Sequence, residues 1–390
     1  MSHALVNPDI LRWARERSYL GVDMLAHKIG IRVEKVLAWE MGESLPTFKQ
    51  AQKLAHTVHI PFGYLFLPVP PVETIPLPDL RTIGDFTVGK ASPEFRDLIG
   101  DVMRKRDWFV EYLRKQEADI VPFIGKFNLN TSYEDVASDI SETLGINGQL
   151  RQSSRNWEDF LRNMIIQAEK CGIWVMRSGI VGSNTHRPLL VEEFRGFVIS
   201  EKLAPLIFIN GKDAKAAQIF TCAHELAHLW VGESGISNIS LGVEDTYICN
   251  NIEKFCNQVA VELLVPKSLF LVNWNLNQDI GENADRLARH FRVSTVVIAR
   301  RALNLNLIDW ATYWSFYESQ RDKWTHIRED SEGGGDYYRT LKTRNGTRFS
   351  QAVLSSAYEG RLLFREAAAL LGTSVGNLEE MASFVLESED

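Results

Sequence analysis

One segment of this 390-residue chain leaves little freedom to the fold: residues 216–231, AAQIFTCAHELAHLWV. Its apolar residues recur on nearly every side of a helix, so the helix must be buried. The polar ones, Gln218, Thr221, His224, Glu225 and His228, fall near one stripe. A buried imidazole needs a partner. His224 and His228 stand four apart on one helical face and can share a metal ion. Glu225, beside the first histidine, is placed as a base toward water activated by that metal. A pair of hydrogen-bonded core histidines is the alternative, but it does not explain why a carboxylate shares the stripe.

Two histidines hold zinc poorly, so a third ligand is expected. Glu233, Glu244, Asp245 and Glu253 follow in the sequence. Glu233 lies too near the helix end to aim well. Glu244 and Asp245 fall in a loop after Gly242 and suit a substrate contact instead. Glu253 is the best candidate. It sits on a predicted helix, NNIEKFCNQVAVELLVP, and Asn257 one turn later can orient a ligand by a hydrogen bond. Glu262 on the same helix reads as a solvated carboxylate. Two histidines, one glutamate and an open fourth position form the layout of a catalytic zinc site.

The rest of the chain sets the context. Hydrophobic residues make up 45% and charged residues 24%, which excludes wholesale disorder. The net charge of −7 gives no global basic field, so any nucleic-acid contact must come from a local patch. Cys171, Cys222, Cys249 and Cys256 are scattered and form no CxxC, which argues against a disulfide scaffold. No apolar signal core opens the sequence and no run approaches a membrane span. A reducing cytoplasm and no membrane partner are the expectations.

Asn7 can cap a first helix that opens at Pro8, and periodicity places further short helices at about 22–29, 33–41 and 47–58, with a last short one from Pro61 to Phe66. Five prolines within PVPPVETIPLP (68–78) then mark a linker. A long charged helix is predicted over 94–119, with Phe95, Leu98, Val102, Phe109 and Leu113 as its apolar stripe. Further helices are expected near 133–144 and 156–171. Strand-length apolar runs follow at 172–179, 195–200 and 205–210, the last two joined by EKLA as a hairpin. Helices over 214–231, 250–264, 282–290 and 295–303 come next. SEGGGD (331–336) reads as a hinge, and 337–386 as a strand or two and then helices. An edge strand beside the 216–231 helix would be suited to holding an extended peptide.

Three features occur together: HELAHLW (224–230), then Glu253-Lys-Phe-Cys256-Asn257 leading into Ala260-Val-Glu-Leu-Leu-Val-Pro266, and a helix-turn-helix ahead of both. The chain thereby resembles the ImmA/IrrE family of metallopeptidases, in the variant fused to an N-terminal XRE-type (Cro/cI-like) domain. The resemblance implies zinc held by His224, His228 and Glu253, with Glu225 as catalytic base, in a gluzincin-like metalloendopeptidase. The implied fold is mainly α with a small β-sheet (α+β). A five-helix lambda-repressor-like domain (1–66) and a proline-rich linker (67–80) would precede a zincin-like core (81–275). A helix-turn-helix-like segment (276–330) and a helical C-terminal domain suited to partner binding (331–390) would follow. The implied function is cleavage or control of a protein partner such as a DNA-binding repressor. The competing reading is a non-enzymatic DNA-binding antitoxin or regulator that grips a toxin or repressor, its zinc site structural or vestigial. DNA, a protein partner and a second copy of the chain are the partners these readings allow.

The N-terminal pattern rests on Leu25-Ala26, Ile29-Gly30-Ile31, Val36 and Trp39-Glu40-Met-Gly42. Residues 1–66 hold eight Lys/Arg against six Asp/Glu, slightly basic within an acidic chain. Family members usually open the second helix with Ser or Thr and then Gln; here Gly21 and Val22 stand there. Arg32, Glu34 and Lys35 are the candidate DNA contacts, without a Gln, Asn or Arg pair suited to bidentate base reading. Residues 287–301 and 364–382 carry fainter helix-turn-helix patterns that read as scaffold, and His290 as a surface or packing residue.

Overall fold

Asn7 opens the first helix, α1 (Pro8–Arg17), by accepting a hydrogen bond from the Asp9 amide at 3.0 Å, with Pro8 at the first helical position. Three more helices follow: α2 (Val22–Ile29), α3 (Val33–Glu40) and α4 (Phe48–Thr57). Gly30 ends α2 in the left-handed region at φ 72°, which lets the chain turn at once into α3. Thr47 and Gln50 form a reciprocal capping box at the start of α4. A short 3-10 helix, Phe62–Phe66, closes the set. Ile10, Leu11, Ala14, Leu25, Ala26, Val36, Trp39 and Leu54 share one buried core.

The structure, a computed structural model, describes residues 2–72, 75–77, 91–237, 251–327 and 336–386. It divides into two compact units, Met1–Pro76 with Lys90–Asp97, and Leu77–Gly89 with Leu98–Asp390. In the first unit Arg17 pairs with Asp97 at 2.6 Å, and the Tyr19 hydroxyl donates to the Ala91 carbonyl at 3.3 Å. This unit therefore takes in residues beyond the proline-rich stretch. The start of that stretch is itself tied down: the Asn7 amide donates to the carbonyls of Leu67 and Pro68 at 2.9 and 3.0 Å. Parts of the 67–80 segment lie outside the described residues, as do 331–335 of the expected hinge.

The long helix α5 runs over Pro93–Lys115, with all five residues of its expected stripe buried. Within the second unit follow α6 (Tyr133–Leu144), α7 (Gly148–Ser153) and α8 (Trp157–Lys170). Next come β1 (Trp174–Ser178), β2 (Gly196–Ile199), β3 (Leu206–Asn210), α9 (Lys215–Val231) and β4 (Gly235–Ser237). The sheet order is β1-β3-β2-β4. β2 and β3 form the expected antiparallel hairpin, with Ile199 opposite Leu206. β1 lies parallel to β3, Trp174 beside Leu206, and β4 is antiparallel to β2 with Ser237 beside Gly196. The architecture is mainly helical with this small mixed sheet, an α+β arrangement.

Helices α10 (Asn251–Leu264), α11 (Lys267–Asn273), α12 (Ile280–Phe291), α13 (Thr295–Asn304) and α14 (Trp310–Ile327) continue the unit. Leu287, Phe291, Val297 and Ile298 of α12 and α13 join the same core as α9 and α10, as scaffold helices would. His290 is exposed, its ring edge-on to Phe291. The tail forms α15 (Tyr337–Asn345), α16 (Thr347–Tyr358), α17 (Phe364–Leu371) and α18 (Leu378–Leu386). The strand expected early in this tail is absent from the described residues. Asp336 caps α15 by accepting from the Arg339 amide at 2.7 Å, and Trp174 Nε1 donates to the last carbonyl of α15, Asn345, at 2.6 Å. Capping and tertiary contact thus outweigh the β-propensity of the Tyr and Thr residues there. No single described helix is long and apolar enough to cross a membrane.

Candidate metal centre

Helix α9 is buried along almost its whole length, as its apolar sequence demands. Trp230 stacks on Phe123 with ring centroids 4.1 Å apart, and Gly232 ends the helix in the left-handed region at φ 84°. His224, Glu225 and His228 are each fully buried. The two imidazoles turn toward each other, Nε2 to Nε2 at 2.9 Å. Glu253, in the first turn of α10, meets both: its Oε2 lies 3.3 Å from His224 Nε2 and its Oε1 lies 3.1 Å from His228 Nε2. Among the described residues these three are the only group whose ligand atoms gather in this way, all within 4.8 Å of one another.

The donor set suits a divalent cation. Two facing imidazole nitrogens can share at most one proton, whereas a metal accepts both lone pairs. Burial alone would push Glu253 up, but the charge of His224 and the hydrogen bonds to both histidines outweigh it and hold the carboxyl at about 2. Burial lowers His228, against the opposing pull of Glu253, so its imidazole favours the neutral, ligating form. The nearby thiols are poor competitors. Burial and then the Glu225 charge push Cys222 up to about 12, and burial with the Glu253 charge raises Cys256 well above its ordinary value.

Glu225 stands apart from the ligand triad. Burial first, and then the charge of Glu253, raise its carboxyl well above the ordinary range. Among the described residues neither oxygen meets a hydrogen-bond partner of good geometry, and the Ser237 hydroxyl, near enough to temper the shift, is the polar group closest to hand. Two buried carboxylates that repel each other beside two imidazoles are what a bound cation would reconcile.

Gly196 sits against this carboxylate, although it lies far from residues 224–228 in the sequence. A Cβ there would stand 2.6 Å from Glu225 Oε1 and 2.7 Å from Thr221 Cγ2. Gly196 and Ser237 are partners across β2 and β4, so one cross-strand pair faces the carboxylate: the glycine leaves it space and the serine offers a hydroxyl. A glycine inside an apolar strand is the signal that marks such a close approach.

Other expected site residues fall elsewhere. Glu233 is exposed beyond the end of α9, while Glu244 and Asp245 lie outside the described residues. Asn257 lies one turn after Glu253, and its Oδ1 is buried without a hydrogen-bond partner among the described residues. The Nδ1 atoms of His224 and His228 likewise have none among the described residues. Glu262 is not solvated as expected; it pairs with Arg301, which α13 brings against α10. In the first unit Arg32, Glu34 and Lys35 are all exposed at the start of α3.

Comparison with known families matches residues 168–303 to Peptidase_M78, described as an IrrE N-terminal-like domain, and residues 345–384 to DUF8813, a domain of unknown function. The first match contains the whole sheet, α9 and α10, and with them every residue of the metal centre. It supports the ImmA/IrrE part of the sequence resemblance. Neither match reaches the N-terminal unit. No curated protein matches the chain.

Proposed function

We propose that this chain is a zinc-dependent metallopeptidase acting on a protein partner such as a repressor, with an N-terminal helix-turn-helix that brings it to DNA. The observation that carries the reading is the convergence of His224, His228 and Glu253 beside the buried Glu225. The two histidines, through Nε2, and the Glu253 carboxylate would hold the metal. Zinc, when bound, supplies a Lewis acid that acidifies water and polarises a carbonyl. Glu225, buried beside the three ligands, would accept a proton from water there and deliver it to the leaving amine. The pairing of β4 on one side only, among the described residues, leaves an edge for an extended peptide to join by backbone hydrogen bonds.

The purified protein should carry about one zinc per chain, and His224→Ala or His228→Ala should abolish it. Glu225→Gln should keep the metal and lose all cleavage of a co-purifying partner. A wild-type protein that holds no zinc and takes up none on dialysis sinks the reading. One observation favours a second use of the N-terminal unit, as a protein-contact module. Val33, Leu37 and Met41, spaced four apart on and just beyond α3, are 37%, 37% and 61% exposed. That apolar stripe occupies the helix that would otherwise read bases.

A further inference from the structure

Ser237 is a polar residue at a position that calls for an apolar one. It ends the three-residue strand β4 and is 0% exposed. Its neighbour Ile236 is buried on the other face of the sheet, paired with Phe197 of β2, as strand alternation requires. A buried hydroxyl is costly unless it is bonded, and alanine would fill the same place without that cost. Among the described residues no well-formed hydrogen bond answers it.

What this hydroxyl faces is Glu225. Gly196 is the direct partner of Ser237 across β2 and β4, and side chains at paired positions share one face of the sheet. A Cβ at Gly196 would stand 2.6 Å from Glu225 Oε1. Paired Cβ positions lie about 5 Å apart, so the Ser237 hydroxyl comes within reach of the same carboxylate. It also pulls the Glu225 carboxyl back down, against the upward push of burial and of the Glu253 charge. A serine side chain turns among three staggered settings, so a better aligned bond needs rotation about one bond and no movement of the strand.

We propose that Ser237 is a positioning residue for Glu225: its hydroxyl donates to one carboxylate oxygen and leaves the other to take a proton from water. This rests on the reading of Glu225 as the base. The cross-strand pair then has two separate tasks. Gly196 leaves room for the carboxylate, and Ser237 fixes its rotation about the last side-chain bond, a torsion with broad wells of its own. A base already turned toward the water gives up less freedom on reaching the transition state. Ser237 is not among the three metal ligands, so zinc content does not depend on it.

A double-mutant cycle on the full, zinc-loaded chain tests the contact without any substrate. Chemical denaturation compares wild type, Ser237→Ala, Glu225→Met and the double variant. Ser237→Ala should lower the unfolding midpoint when Glu225 is present and leave it unchanged when residue 225 is methionine. Ser237→Thr, which keeps the hydroxyl, should keep the coupling, and Ser237→Gly serves the same cycle should the alanine variant fail to fold. Zinc content should match wild type in each of these. In cleavage of the co-purifying partner, Ser237→Ala should lower kcat about tenfold at unchanged KM, with part of the loss recovered in Ser237→Thr. Additive effects of the two substitutions on unfolding overturn the contact, whatever the turnover. Coupling together with a wild-type kcat in Ser237→Ala overturns the positioning role. If Glu225→Gln cleaves as fast as wild type, or if wild type cleaves nothing, the reading of Glu225 as base fails and the positioning role with it, while the coupling still measures the contact.

Discussion

The proposed base, Glu225, needs a carboxylate held in one place, and among the described residues the structure confines it by exclusion rather than by well-formed hydrogen bonds. Gly196 is the residue that sets this limit. A methyl group there meets Glu225 Oε1 at 2.6 Å and the Phe208 carbonyl at 3.1 Å, with no flexible neighbour on the backbone side. Gly196→Ala should therefore displace the carboxylate while the ligands stay in place. The expected outcome is normal zinc content, a loss of about 1–3 kcal/mol in stability from overpacking, and peptidase turnover reduced about 100-fold. Paired metal analysis and turnover assays check this. A Gly196→Ala protein as active and as stable as wild type would show that the glycine is incidental.

Among the elements, α10 carries the largest burden because it aims Glu253 from its first turn. Its far end is anchored twice. Arg151 Nη2 donates to the Leu263 carbonyl at 2.5 Å, satisfying an acceptor that the helix end leaves open. Glu262 pairs with Arg301 and also accepts from the Lys267 amide at 3.0 Å, joining α10 to α13 and to the start of α11. Arg301 is 2% exposed, so truncating it leaves a carboxylate with little water to replace the lost partner. Arg301→Ala should cost about 3 kcal/mol and Glu262→Gln less, because the amide still accepts from Lys267. Chemical denaturation of the two variants measures the difference; equal stability of Arg301→Ala and wild type would make the pair dispensable.

For the whole molecule, the N-terminal unit extends beyond the helices that its pattern suggests. Asp97 and Ala91 hold Arg17 and Tyr19 from a segment far along the chain. A fragment of residues 1–97 should therefore melt cooperatively and above a fragment of residues 1–66. If this unit binds DNA through Arg32 and Lys35, as proposed, that binding should weaken steeply with salt through counterion release. Salt-insensitive partner binding that is lost in Leu37→Asp would instead assign the α3 stripe to protein contact. Equal melting of the two fragments would return the boundary to residue 66.

What the sequence determined by itself is what local rules govern. Helix caps at Asn7, Thr47 and Ser294, the left-handed stops at Gly30 and Gly232, and the polar stripe of α9 all depend on residues a few positions apart. The hairpin of β2 and β3 is equally local. Tertiary structure alone decided the parallel pairing of β1 with β3, because nothing in either strand encodes its long-range neighbour. It also decided β4, only three residues long and so without a periodic signal, and the tail's helices, where packing against Trp174 overrides propensity. Glu253 illustrates the division. Sequence reasoning ranks it above Glu233 by helical placement, but its meeting with His224 and His228 is a matter of how α10 packs on α9. The placing of α13 against α10 likewise turned Glu262 from an expected surface charge into a partner of Arg301, since a carboxylate's surroundings are set by whichever helix the fold lays beside it.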